Sequence, residues 1–256
     1  MGKGWMTMRL IVLLLLVLSL VLLWKNRGNL CAAIGRFRYA TGHAEEGLAW
    51  FRRGEKIGKV KFEFRLLHAY LTLKEGDVDE AYKLFNLLAM EKLTPEQRLR
   101  LKGSHALLYW KMGEVQDAVE MLEQVHENAK NTSTYGSLGY MYAYSGNLQK
   151  ALSYNLEAYD YNSDDAIIVD NLAYTYLKLG DFAHAEEFYS KLFDMNPTFP
   201  EGYLEYGKHL VAQGQREQGL ELVKKALNCR FSFLSMQTRR DILDYLEQQG
   251  EDITAL

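Results

Sequence analysis

Six glycines divide most of this chain at nearly equal intervals: Gly42, Gly76, Gly113, Gly146, Gly180 and Gly214 stand 34, 37, 33, 34 and 34 residues apart. Seven positions before each comes a small residue: Gly35, Ala69, Ala106, Gly139, Ala173 and Gly207. Five positions after each comes another: Gly47, Ala81, Ala118, Ala151, Ala185 and Gly219. A fixed period of this length calls for one supersecondary unit stacked in series. Two antiparallel helices whose axes approach to about 8–9 Å need a residue with almost no side chain where they cross. The glycine between them permits the left-handed conformation that ends the first helix. Asp77, Asn147 and Asp181 follow as N-caps of the second helix, and Asp77 with Glu80 fits a capping box.

Composition agrees with helices throughout, since three prolines stand against twenty glycines in 256 residues. A formal net charge of −3 gives a nucleic-acid partner no general electrostatic support, and none is expected. Cys31 and Cys229 make neither a disulfide framework nor a metal knuckle. Tyrosine is in excess, with 12 of the 17 between Tyr135 and Tyr206.

Large apolar residues surround the small ones at helical spacing, as Leu172 and Tyr176 do opposite Phe188, Tyr189 and Leu192, and Pro197 closes that unit. This order of W/Y, L-G/A, Y, A, F/Y and P resembles the tetratricopeptide repeat (TPR) family, most specifically in the units beginning at Thr132, Ala166 and Pro200. The pattern weakens where Arg38 replaces Tyr or Leu and where Asn155 replaces an aromatic. The resemblance implies an all-α superhelical solenoid of six repeats, at about 28–61, 62–98, 99–131, 132–165, 166–199 and 200–233. Residues 234–256 then form a capping helix and tail, with "SMQTRRDILDYLEQQG" (235–250) as the amphipathic lid over the last apolar face.

Residues 1–27 are different material. From Trp5 to Trp24 the chain is 20 residues long, about 30 Å of helix, with an indole at each end and Arg9 one turn inside. Lys25 and Arg27 follow at once and no small-x-small cleavage site precedes them, which favours an uncleaved single-pass anchor over a signal peptide. Lys25, Arg27, Arg36 and Arg38 outnumber the charges before the anchor, which places the repeats on the cytoplasmic side. The layout is similar to that of bacterial envelope-assembly repeat proteins, without the cysteine-rich knuckle of the lipopolysaccharide-assembly family.

Catalytic motifs are lacking: there is no phosphate loop, no HExxH and no nucleophile elbow. His68 and His105 fall at packing positions, and "HAEE" at His43 and again at His184 sits at the start of a second helix. A non-enzyme without cofactor or metal is expected. The TPR resemblance implies that one stripe of each first helix lines a groove for a protein or peptide. Here that stripe offers Arg36, Tyr39, Tyr70, Lys74, Leu107, Trp110, Lys111, Tyr140, Tyr144, Asn171, Tyr174, Lys178 and Lys208 as the partner-binding residues. Tyr and Trp give broad contact at low entropy cost, and the lysines suit an acidic partner. Asn171 matches one member of the carboxylate clamp of chaperone-binding relatives, but Gly136, Tyr140, Glu201 and Glu205 stand where its other members would be. The expected function is a membrane-anchored adaptor acting on a protein or membrane-bound client, with envelope assembly as one setting. The alternative is an extracytoplasmic module for polysaccharide or cell-wall strands; self-association stays open.

Overall fold

The structure, a computed structural model, describes the backbone of residues 2–254 and the side chains of residues 8, 9 and 11–254. The described residues form thirteen helices and no strand. They fall into two compact units, residues 1–93 and 94–256.

The first unit opens with α1 (Gly2–Ala40), one unbroken helix of 39 residues. The anchor and the first repeat helix, expected to part at residue 27, are therefore continuous. Within it, Ile11–Ala40 is long and apolar enough to cross a membrane by length and composition. The Trp5 end of the expected span lies outside the described side chains, whereas Trp24 is 68% exposed. The unit continues with α2 (Ala44–Ile57), α3 (Phe62–Lys74) and α4 (Val78–Ala89). Helices α1 and α2 run so close that a Cβ at Gly35 would lie 2.8 Å from the Gly47 carbonyl oxygen, and one at Gly28 2.7 Å from that of Lys59. Ala32, Leu48, Phe51 and Leu71 fill the core between α1, α2 and α3.

The second unit holds α5 (Pro95–Met112), α6 (Val115–Asn128), α7 (Thr132–Tyr144) and α8 (Leu148–Tyr161). After these come α9 (Ala166–Leu179), α10 (Phe182–Asp194), α11 (Glu201–Ala212), α12 (Arg216–Ala226) and α13 (Arg239–Gln248). Ala173 and Ala185 are both fully buried and share one core with Tyr189 and Leu192. All six repeat glycines have φ between +80° and +92°. The caps divide: Asp77 and Asp181 accept from the backbone N–H of Glu80 and His184, but Asn147 makes no side-chain cap. The Asp77–Glu80 capping box is only half formed, because the Glu80 carboxylate faces Lys83 instead.

The terminal lid is shorter than 235–250. Helix α13 starts at Arg239, where Thr238 and Asp241 close a capping box, and it places Ile242 and Leu246 on Leu204, Leu220 and Val223. Residues 231–238 stay outside any helix.

Candidate functional site

The first helices of the second unit set four aromatic rings in a row. Trp110 on α5 meets Tyr140 on α7 edge-on at 6.0 Å, Tyr140 meets Tyr144 at 4.4 Å, and Tyr144 stacks on Tyr174 of α9 at 4.3 Å. Spacing explains the row: positions 140 and 144 are one turn apart on α7, and the repeat period brings Trp110 and Tyr174 alongside.

Several other tyrosines of the unit have paired hydroxyls, although that of Tyr189, in the α9–α10 core, is buried without a partner. The Tyr135 and Tyr142 hydroxyls donate to Glu157 and Glu123 at 2.7 and 2.6 Å, and Tyr159 accepts from Lys191 at 2.6 Å. They fill space between helices and satisfy their polar tips there. The Tyr140 and Tyr144 hydroxyls are buried with no hydrogen-bond partner. Burial, and then nearby carboxylates, push both phenols up.

Three carboxylates border the row. Asp170 on α9 is 4% exposed, and its Oδ1 has no partner. Burial pushes its carboxyl well above the usual range, and Glu201 and Glu205 add to the effect. Glu201 is also raised, chiefly by burial, with Lys111 opposing. The stripe position of Asp170 is readable from the repeat, but its charge gave no reason to select it over the tyrosines.

The lysines are engaged. Lys178 reaches Glu205 at 3.1 Å and lies over the Tyr174 ring at 4.8 Å. Lys208 stands 4.0 Å from the other Glu205 oxygen and 5.3 Å over Tyr245. Their attraction toward an acidic partner is thus largely spent within the chain. Asn171 is 1% exposed and donates to the Gly136 carbonyl oxygen at 2.8 Å. With Asn155 and Thr175 it forms a polar network inside the repeats, because Asn155 donates to Thr175 at 3.2 Å. Asn171 is a buried packing residue in this structure. Leu107 is half-buried against the Ala106–Ala118 core.

Part of the row is covered by the chain itself. Lys111 Nζ donates to the Ser235 carbonyl oxygen at 3.1 Å and lies 4.7 Å over the Phe233 ring. The Ser235 hydroxyl and the Met236 backbone face the Glu201 carboxylate, and the Met236 backbone lies beside Tyr140. Residues 231–237 therefore form a non-helical strap across α5, α7 and α11. The lid expected at 235–250 takes in three of these seven residues; Thr238 with Asp241 three positions on is the sign in the sequence that the helix starts later.

In the first unit the stripe is simpler. Tyr39 and Tyr70 are half-buried against the α1–α3 core, and the Tyr39 hydroxyl donates to Glu75. Arg36 is exposed with its guanidinium 5.9 Å from the Phe64 ring centre, and Lys74 is half-buried at the end of α3. His68 is 1% exposed, stacks on Phe51 at 5.3 Å and meets Glu55 at 2.9 Å, as a core histidine does. His184 pairs with its own cap, Asp181, at 2.7 Å. Among the described residues no cluster of His, Cys, Asp and Glu could hold a metal.

Comparison with known proteins gives the class. Residues 168–199 match the model of the tetratricopeptide repeat. The structure is similar to a tetratricopeptide repeat protein from Parabacteroides merdae ATCC 43184, at 18% identity over 89% of this chain and 86% of that one, with TM-score 0.72. It is similar to PilF of Pseudomonas aeruginosa at 12% identity, over 89% of this chain and 99% of that one, with TM-score 0.60. A thermophilic TPR protein of Thermus thermophilus follows at 21% identity, over 65% and 90%, with TM-score 0.57. No curated protein sequence matches. The fold is that of TPR proteins, an architecture that typically serves as a protein-interaction scaffold and not as an enzyme.

Proposed function

We propose that this protein is a membrane-tethered, non-enzymatic adaptor whose second unit holds an extended segment of a partner protein against the Trp110–Tyr140–Tyr144–Tyr174 row. The observation that carries this reading is the strap: a non-helical segment already lies there, with a main-chain carbonyl on Lys111 and a hydroxyl facing Glu201. A partner segment offering the same groups would find acceptor and donor in place, with the Tyr140 hydroxyl beside the strap backbone and the Tyr144 hydroxyl unpartnered next to it. Tethering raises the effective concentration of such a groove toward membrane-bound clients, so modest affinity suffices. Envelope assembly is the setting the layout suggests. The Asp170 carboxyl, buried beside the row with one oxygen unpaired and its proton retained by burial, favours a segment that offers it a hydrogen-bond partner.

The polysaccharide alternative is weaker. Sugar binding by aromatics needs free ring faces, and the Tyr144 and Tyr174 faces are stacked on each other. Self-association has no specific observation behind it.

The test places a photo-crosslinking residue at Lys208 of the full chain in native membranes, and a control at Met90, which is 83% exposed just past the end of α4. A polypeptide adduct is expected from 208 and not from 90, and excess synthetic peptide spanning 229–238 should suppress it. Replacing 231–237 by a Gly/Ser linker should raise its yield. Equal adducts at both positions, or indifference to the peptide and the linker, would sink the groove assignment.

A further inference from the structure

Helix α2 runs back along α1 toward the apolar segment, and the small residues fix its register. Gly28 faces Gly54, each close enough that a Cβ on it would lie within 3.0 Å of the other's carbonyl oxygen. The Lys61 backbone N–H donates to Asn29 Oδ1 at 2.8 Å. The end of α2 and the loop after it are therefore level with residues 27–29, about 7.5 Å along the helix from Leu23.

That arrangement gathers cations the sequence keeps apart. Lys25 is joined by Arg52, Arg53, Lys56, Lys59 and Lys61, all exposed, with half-buried Arg27 among them. None of these makes an ion pair among the described residues, whereas Arg38 and Arg65 of the same unit pair with Glu46 and Glu91. From residue 47 to 62 the lone acidic residue is Glu55, which faces His68 at 2.9 Å. Residues 25–61 hold nine Lys and Arg against three Glu, a net +6, while residues 62–256 carry a net −11. The net positive excess thus lies in the segment that follows the apolar helix, and seven of its nine cations belong to the group around residues 25–29 and the end of α2.

We infer that this collar binds anionic lipid headgroups of the leaflet into which α1 inserts. The inference rests on the anchor reading of α1 and adds a lipid preference to it. Unpaired cations within a Debye length of about 10 Å of an anionic surface are attracted without needing a shaped pocket. The exposed, flexible lysines and arginines can each follow a phosphate, and Trp24 with Arg27 stacked at 4.3 Å marks the interfacial turn. The count that orients the chain is also changed: Arg38 is committed to Glu46, and the α2 end replaces it.

The test reconstitutes the full chain in vesicles of phosphatidylcholine with spin-labelled phosphatidylglycerol or spin-labelled phosphatidylcholine, and reads the motionally restricted fraction of each. The native chain should select the anionic label over the neutral one by about fivefold or more at low salt, since each juxtamembrane cation is worth about that factor. Selection should fall toward parity in the R52Q/R53Q/K56Q/K59Q/K61Q variant and, for the native chain, in high salt. The R52K/R53K variant should keep it. Equal restriction of both labels by the native chain would overturn the collar while leaving the anchor intact. Absence of any restricted lipid would remove the anchor reading, and the collar with it.

Discussion

Asp170 illustrates how much one residue can weigh in a repeat fold. Its carboxyl is buried beside Glu201 and Glu205, and a Cβ on Gly202 would lie 2.7 Å from its oxygen. Because its pKa is raised, the folded chain keeps a proton that the unfolded chain releases near the ordinary Asp value of about 3.9. Its contribution is complete below that pH and is lost as pH rises toward the native value. Asp170→Asn should therefore be more stabilising, or less destabilising, at pH 8 than at pH 4. Thermal unfolding of both proteins at pH 4, 6 and 8 checks this; a gap that does not widen with pH refutes the assignment. Truncating Trp110 is a different experiment, because that ring is 9% exposed and belongs to the α5–α8 core.

Among the elements, the hairpin crossing is the most exacting part. At Gly207 an added Cβ would stand 2.7 Å from the Gly219 carbonyl oxygen, so backbone and not a side chain would have to move. Gly207→Ala should cost about 1–3 kcal/mol by overpacking, despite alanine's better helix propensity. Substituting exposed Met90 by Ser should stay within about 0.5 kcal/mol. Chemical denaturation of the two variants separates crossing geometry from propensity; a stabilised Gly207→Ala chain would show that α11 and α12 are not so close. The strap belongs to this scale too. Phe231 packs its start against the α11–α13 core, whereas further along Phe233 and Met236 stay 36% and 42% exposed and polar contacts to Lys111 and Glu201 hold the segment. Lys111→Ala should release it, read as faster backbone hydrogen exchange at residues 232–236 with α13 unchanged.

For the whole molecule, the two units meet in the chain near residue 93, beside an exposed turn at Met90–Lys92. Limited trypsin digestion of the full chain should cut first after Lys92, giving a stable fragment that begins at Leu93. A first cut inside α5–α13 would contradict the division. Topology is the second test at this scale. The collar would place the repeats on the cytoplasmic side by the positive-inside rule, so a reporter fused after Leu256 and active only in the cytoplasm should work.

The repeat period, the small residues at the crossings, the left-handed glycines and the apolar N-terminal run were all legible in the sequence. Each is a local requirement: close packing excludes a side chain, positive φ excludes most residues, and helix length follows from residue count. Which tyrosines are filler and which form the row was not legible, because Tyr142 and Tyr144 look alike until their neighbours are known. Asn171 stands at a ligand-contact position of the repeat but is a packing residue, because its amide donates to the Gly136 carbonyl oxygen and the missing side chain of Gly139 leaves room for it beside Asn155. The strap over Lys111 joins residues 124 apart, and the collar joins Lys25 to Lys61 through an antiparallel turn. Contacts of that kind depend on where distant segments are carried by the stacking of helices, which no single stretch of chain encodes.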